Sequence, residues 1–140
     1  MNSPTIQFEL VSPEKKLFSG KAVMVTLPGT EGDLGVLGGH APLISTLRVG
    51  VIGVYENDVA VANRLYLVAG GLVEIQPERC TALAEDATPL DQIKRETLEA
   101  DLRKAREVLS IAQEAEKEAL HAKIVLLEKK LDVFTQASAH

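Results

Sequence analysis

Glycine and proline are confined to the first two thirds of this chain. All ten glycines lie at or before Gly71, and all six prolines lie at or before Pro89. From Leu90 to His140 run 51 residues with neither. Glycine supplies backbone conformations closed to other residues, and proline fixes φ and removes a donor, so the two mark turns and breaks. The chain therefore holds two physically different regions joined near Pro89. A uniform α/β fold is disfavoured, because its turns would need breakers throughout. The expected domains are residues 1–87 and 88–140 of the 140.

The first region reads as strands. Ile6, Phe8 and Leu10 alternate with Gln7 and Glu9, the pattern of a half-buried strand, and Ser12-Pro13 breaks it. Val23, Val25 and Leu27 alternate again up to Pro28-Gly29. Val49–Tyr55 and Val59–Ala62 flank Glu56-Asn57-Asp58, which reads as a hairpin turn. Arg64–Val68 and Leu72–Gln76 flank Ala69-Gly70-Gly71, which reads as another. Cys80–Leu83 closes the series. Short strands at close spacing predict a small all-β sandwich or barrel. Its core is expected to be Ile, Val and Leu, since only 4% of the chain is aromatic.

The second region reads as helix. Thr88-Pro89-Leu90-Asp91 has the form of a helix start, with Thr88 as N-cap, Pro89 in the first helical position and Asp91 in the first turn. Leu98, Leu102, Ala105, Leu109 and Ala112 make one apolar stripe at coiled-coil spacing. Leu120, Ile124, Leu127, Leu131 and Phe134 make a second, out of phase with the first. The phase breaks within Ser110–Ala119. Two structures satisfy this pattern: an antiparallel hairpin turning near Ser110–Glu116, or one long helix whose apolar face rotates partway. The expected class is α+β, a small N-terminal β-sandwich followed by an α-helical hairpin.

Composition removes most other functions. No apolar run approaches the roughly 18 residues of a membrane span, and Met1-Asn2-Ser3-Pro4 does not look like a secretory leader. The net charge of −5 and absence of a basic tract argue against nucleic acid as a partner. Cys80 is alone, so no internal disulfide is expected. His40, His121 and His140 lack partners at metal-ligand spacing. There is no phosphate loop: Phe18-Ser19-Gly20-Lys21 lacks the earlier glycine and runs into Ala22. There is no G-x-S-x-G elbow. Helical acids such as Glu99, four residues before Arg103, read as solvated partners of neighbouring bases. No catalytic and no metal-binding residues are expected.

One segment is dense in signal: Gly29-Thr30-Glu31-Gly32-Asp33-Leu34-Gly35-Val36-Leu37-Gly38-Gly39-His40-Ala41-Pro42-Leu43. By itself it reads either as tight turns needing positive φ or as a shaped loop whose Glu31 and Asp33 face a partner. Glu31-Gly32-Asp33-Leu34-Gly35 followed by Gly39-His40-Ala41-Pro42-Leu43 resembles the signature of the epsilon subunit of bacterial and chloroplast F-type ATP synthases, relatives of the mitochondrial delta subunit. Val11-Ser12-Pro13-Glu14 with Leu17-Phe18-Ser19-Gly20 resembles that family's opening. Tyr66–Gly71, Val73-Glu74-Ile75 and Leu83–Ala87 resemble its later strands and junction. The likeness covers residues 5–91; the tail matches in length and character.

The resemblance implies a sandwich of about ten strands and two helices. It implies a non-catalytic central-stalk (rotor) subunit on the cytoplasmic face of the bacterial inner membrane, touching membrane only through its complex. The implied partners are the gamma subunit, the c-subunit ring and, through the helices, the alpha/beta catalytic head. Glu31, Asp33 and His40 become candidates for contact with the c ring. The plainer reading of His40 is a turn-capping or hydrogen-bonded side chain. Arg95, Arg103, Lys104 and Arg106 become candidates for regulating ATP hydrolysis. Some relatives bind ATP at the start of the first helix through Ile/Leu-Asp, two residues, then Arg-Ala. Here Leu90-Asp91-Gln92-Ile93-Lys94-Arg95 puts lysine where arginine is expected and Arg95 where alanine is expected. Lysine lacks the bidentate fork, so Asp91, Lys94 and Arg95 are weak ATP-site candidates and no cofactor is expected.

Overall fold

The computed structural model describes residues 4–138. Met1–Ser3, on which the leader expectation rests, and His140 lie outside them. The described chain forms eight strands and two long helices, in that order. It divides into two units, the first ending at Asp91 and the second beginning at Gln92. That boundary falls four residues beyond the one read from sequence. The shift comes from the last strand, which continues through the residues expected to start a helix.

β1 (Ile6–Val11) buries Ile6, Phe8 and Leu10 completely and turns Gln7 and Glu9 outward. β2 (Lys16–Ala22) returns antiparallel to it, with Phe8 opposite Gly20, and the Phe8 and Phe18 rings lie 5.9 Å apart. β3 (Met24–Gly29) and β4 (Gly32–Val36) form a hairpin. β5 (Leu43–Thr46), β6 (Gly50–Tyr55), β7 (Arg64–Ile75) and β8 (Arg79–Pro89) complete the set. Pairing runs β2-β1-β8-β7-β6-β3-β4, with β5 attached to β7. Only the β1–β8 pair is parallel; the other pairs are antiparallel.

This network closes into a sandwich because its longest strands bend. Ala69-Gly70-Gly71, read from sequence as a hairpin turn, is the bend of one continuous strand. Gly70 and Gly71 have φ of 72° and 131°. The ladder to β8 keeps its register across them, from Ala69 opposite Asp86 to Gly71 opposite Ala84. Before the bend Tyr66 and Val68 face the core; after it Val73 and Ile75 do. The inward face has changed parity, so one strand serves two layers. β5 and β6 follow the same bend on the other side, where the Leu47 N–H donates to Gly71 O at 3.0 Å. Residues of β1, β3, β6, β7 and β8 then meet in one core of Ile, Val, Leu, Ala and few aromatics. Continuity through the bend is why there are eight strands, not about ten.

Two other expectations change. Val59–Ala62 is a loop, not a strand. The Asp58 carboxylate accepts from the N–H groups of Ala60 and Val61, and Asn63 Oδ1 accepts from the Glu56 N–H, so local polar groups replace a ladder. Thr88 and Pro89 do not start a helix. They pair with Leu67 and Tyr66 at the end of β8, and Leu90–Gln92 makes a single 3-10 turn. A ladder contact on Thr88 outcompetes its use as a cap.

α1 (Arg95–Ser110) and α2 (Glu114–Ser138) settle the helical alternative as a hairpin turning at residues 111–113. Leu102 and Ala105 pack on Ile124 and Leu127, with Leu98, Leu109 and Leu131 at the margin. These are members of both sequence stripes, facing each other.

The bend generates a graded prediction. A Cβ on Gly71 would lie 2.3 Å from Leu83 O and 2.9 Å from Ala84 Cα, at a φ costly for any L side chain. Gly71→Ala should destabilise the sandwich by about 3 kcal/mol in urea titrations. Gly32→Ala, with positive φ but open space, should cost about 1 kcal/mol. Gly35→Ala, with open space and no such φ, should fall within about 0.5 kcal/mol of wild type. Equal effects at all three sites would remove the bend from its central place.

Candidate functional site

The Gly-rich segment is largely strand. β3 and β4 are joined by Thr30-Glu31, between the facing pair Gly29 and Gly32. Gly29 keeps the turn tight, since a Cβ there would lie 2.6 Å from Gly32 O. Gly32 at φ 140° returns the chain into β4. Glu31 therefore stands exposed at the tip of a corner.

That corner is fastened to the segment between β5 and β6. Thr30 and Thr46 hydroxyls are 2.6 Å apart, and the Thr30 N–H donates to Thr46 O at 3.0 Å. The Arg48 N–H donates to Pro28 O at 2.9 Å. The Arg48 guanidinium donates to Gly29 O and to Asp33 Oδ1, each at 2.5 Å. Asp33 is thus ion-paired within the chain. Its side chain is 77% exposed, so the pair adds at most about 1 kcal/mol; its effect is geometric.

The structure brings Glu31 and Asp33 to one corner and places His40 elsewhere, past the far end of β4. His40 Nδ1 lies 2.6 Å from Ala41 O, so that nitrogen carries a proton and donates. The His40 N–H also donates to Leu37 O at 3.1 Å. These contacts fit the turn-holding reading. Arg48 was missed from sequence, although it is the only lysine or arginine between Lys21 and Arg64. That isolation beside an acidic loop was the available signal.

On the hairpin, Arg95 and Arg106 bridge the two helices. The Arg95 guanidinium sits 5.6 Å from the Phe134 ring centroid and donates to Thr135 Oγ1 at 3.0 Å. Arg106 pairs with Glu128 at 3.1 Å. Arg103 and Lys104 are exposed on α1. Asp91 lies exposed in the 3-10 turn, and Lys94 immediately precedes α1 without a side-chain cap. Lys94 is exposed as well.

Among the described residues no three His, Cys, Asp or Glu side chains gather closely enough to hold a metal. No described helix is long and apolar enough to cross a membrane. A two-module protein of this kind, a bent sandwich with a short-turn helical hairpin, offers surfaces for assembly. Its residues 5–90 match the family model described as the ATP synthase Delta/Epsilon chain beta-sandwich domain. The ATP synthase epsilon chain of Rhodospirillum centenum is 44% identical over 132 residues, covering 91% of this chain and 90% of that one. That of Rhodospirillum rubrum is 48% identical over 123 residues, covering 86% and 90%. A chain in the Euglena gracilis mitochondrial ATP synthase structure (OSCP/F1/c-ring) has the same fold, with a TM-score of 0.73 at 22% identity over 100% of this chain and 85% of that one. The chain belongs to the ATP synthase epsilon chain family, whose members are non-catalytic subunits.

The lone thiol fits a packing role. Cys80 is fully buried in the sandwich core, and burial pushes its thiol up to about 12. A free thiol ionises near pH 8.5. Below that value Cys80 is protonated folded or unfolded and contributes no pH dependence. Between about 9 and 12 only the unfolded chain loses the proton, so stability falls as pH rises, by at most about 1.4 kcal/mol per pH unit. The loss of stability between pH 9 and 10.5 should be shallower in Cys80→Ala than in wild type, and native protein should resist iodoacetamide at pH 8. Identical pH slopes would contradict the buried, neutral thiol.

Proposed function

We propose that this chain is a central-stalk, rotor subunit of a proton-translocating F-type ATP synthase. Its sandwich couples the gamma subunit to the c ring, and its two helices regulate ATP hydrolysis at the alpha/beta head. It acts on the cytoplasmic face of the bacterial inner membrane as a peripheral component. The observation that carries this reading is identity of 44–48% with ATP synthase epsilon chains across most of both lengths.

The two-unit division supports a split of labour. The first unit is held by ladders, glycine bends and a continuous core, which suits a part that must transmit force in one shape. The second is held by a small apolar seam and a few exposed polar bridges. A seam that small leaves the hairpin close in energy to an opened form, the requirement for a switch. Arg103 and Lys104 are among the exposed basic groups it offers to an acidic surface; Arg95 and Arg106 hold the hairpin closed. The reading includes no cofactor, and the engagement of Arg95 with Phe134 and Thr135 supports leaving ATP out.

Two other classes, a free-standing coiled-coil adaptor and a small-ligand-binding sandwich, predict no stable association with a gamma subunit. Co-purification from membranes separates them from the rotor. Truncation after Gln92, which keeps all of β8, should leave assembly and proton coupling intact while relieving inhibition of ATP hydrolysis. Loss of assembly would overturn the assignment of roles to the two units. Arg95→Ala removes a cation–π contact and a hydrogen bond, together about 1 kcal/mol. That shifts a two-state balance about fivefold toward the open form. ATP hydrolysis in the assembled complex should then be more strongly inhibited; weaker inhibition would count against an inhibitory open form.

A further inference from the structure

The apolar seam of the helical hairpin has a charge at its middle. Leu109 and Ala112 end the first stripe, and Leu120 begins the second. Glu116 stands seven residues after Leu109, four after Ala112 and four before Leu120. It therefore holds a seam position where this spacing calls for an apolar side chain. In the hairpin the charge does no harm. Glu116 lies exposed in the first turn of α2, where an acid suits the helix N-terminus. Its carboxylate has no hydrogen bond or ion pair among the described residues. The neighbouring Lys117 is held by Glu114 at 2.9 Å.

The charge matters once the hairpin opens. Only residues 111–113 join α1 to α2, and a short hinge between two packed elements invites exchange between copies. Two opened tails laid antiparallel could restore between chains the contacts that close the hairpin within one. These are Arg95 on Phe134 and Thr135, Arg106 on Glu128, and the Leu102, Ala105, Ile124 and Leu127 cluster. Keeping those contacts fixes the axis of the exchange. Ala115 is midway between Arg95 and Thr135, and Lys117 is midway between Arg106 and Glu128. Glu116, between them, would meet Glu116 of the second copy on the axis. Like charges brought together out of water oppose association. Lys123 also falls on the seam, but it would face Leu109 of the second copy, where its stem can lie along the leucine with the ammonium in water.

We infer that Glu116 selects what the opened tail pairs with: it bars a second copy of this chain and admits an apolar surface that brings one cation to the middle of the seam. Charge complementarity decides the cation. One polar residue within an apolar seam sets partner and register by penalising the wrong pairings, at some loss of gross affinity. The bar against a second copy is a property of the free chain. The cation rests on the switch proposed above for the two helices.

The first measurement is sedimentation of the full-length protein at neutral pH. Wild type and Glu116→Lys should each stay monomeric to about 100 µM, because each puts like charges on the axis. Their equimolar mixture should form a heterodimer, since Glu then faces Lys. Glu116→Leu alone should associate at least about tenfold more strongly than wild type. Circular dichroism should show wild-type helix content in both variants, since the residue is exposed in the hairpin. A wild-type dimer, a Glu116→Leu monomer, or a mixture no more associated than its parts would overturn the selection. The second measurement is ATP hydrolysis by the assembled complex. Glu116→Leu should relieve inhibition about tenfold, and Glu116→Asp, which keeps the charge, hardly at all. Relief on truncation after Gln92, with none in Glu116→Leu, would overturn the cation. A truncation without effect would instead remove the switch and the cation with it, leaving sedimentation to decide the bar against a second copy.

Discussion

The approach of the β7 backbone to β8 at Gly71 is the contact on which the rest of the first unit depends. Leu83 O stands where a Cβ would have to be. Because nothing but hydrogen occupies that position, β7 and β8 can bend together without losing register, and one ladder feeds both layers. Three consequences follow from that close contact. The core face changes parity, so Val68 and Val73 reach the same interior. Leu47 can donate to Gly71 O, which carries β5 and β6 around the same bend. The β5–β6 segment in turn places Arg48 against the β3–β4 corner.

Much of this was legible in the sequence, in proportion to how local its cause is. The alternation of Ile6, Phe8 and Leu10 marks β1 because burial on one face requires period two. The two apolar stripes of the tail mark the helical seam because Leu102, Ala105, Ile124 and Leu127 are spaced by turns of a helix. Gly70-Gly71 announced a change of direction but not which kind. A hairpin and a bent strand both need positive φ, and only the partner strand, distant in sequence, decides between them. Thr88-Pro89 failed for the same reason. Its local form suits a helix start, yet Tyr66 and Leu67 offered it a ladder. The segment after Asp58 failed through side chains that satisfy nearby N–H groups and make strand pairing unnecessary.

The candidate site shows the same limit. The acids of the corner could be named from the sequence, but their division of roles could not. Glu31 and Asp33 are chemically alike and two residues apart; what separates them is Arg48, fifteen residues beyond Asp33. A single guanidinium turns one of two like charges into part of the frame. The resemblance groups His40 with these two acids, whereas β4 carries it to the other end of the strand.

The helical hairpin turns at residues 111–113 without a glycine or proline, and Ile111 there is 84% exposed. Nothing in those three residues forbids helical backbone. Were they to join α1 to α2, residues 95–138 would form a rod about 65 Å long at 1.5 Å per residue. At about 100° per residue the centres of the two apolar stripes would lie only about 40° apart around that rod, with Leu109 and Leu120 about 20° apart. All ten stripe residues would fall within a band about 120° wide. A single straight groove could therefore meet both stripes if it were broad enough to take a third of the circumference, which sets a shape requirement on the receiving surface from this chain alone.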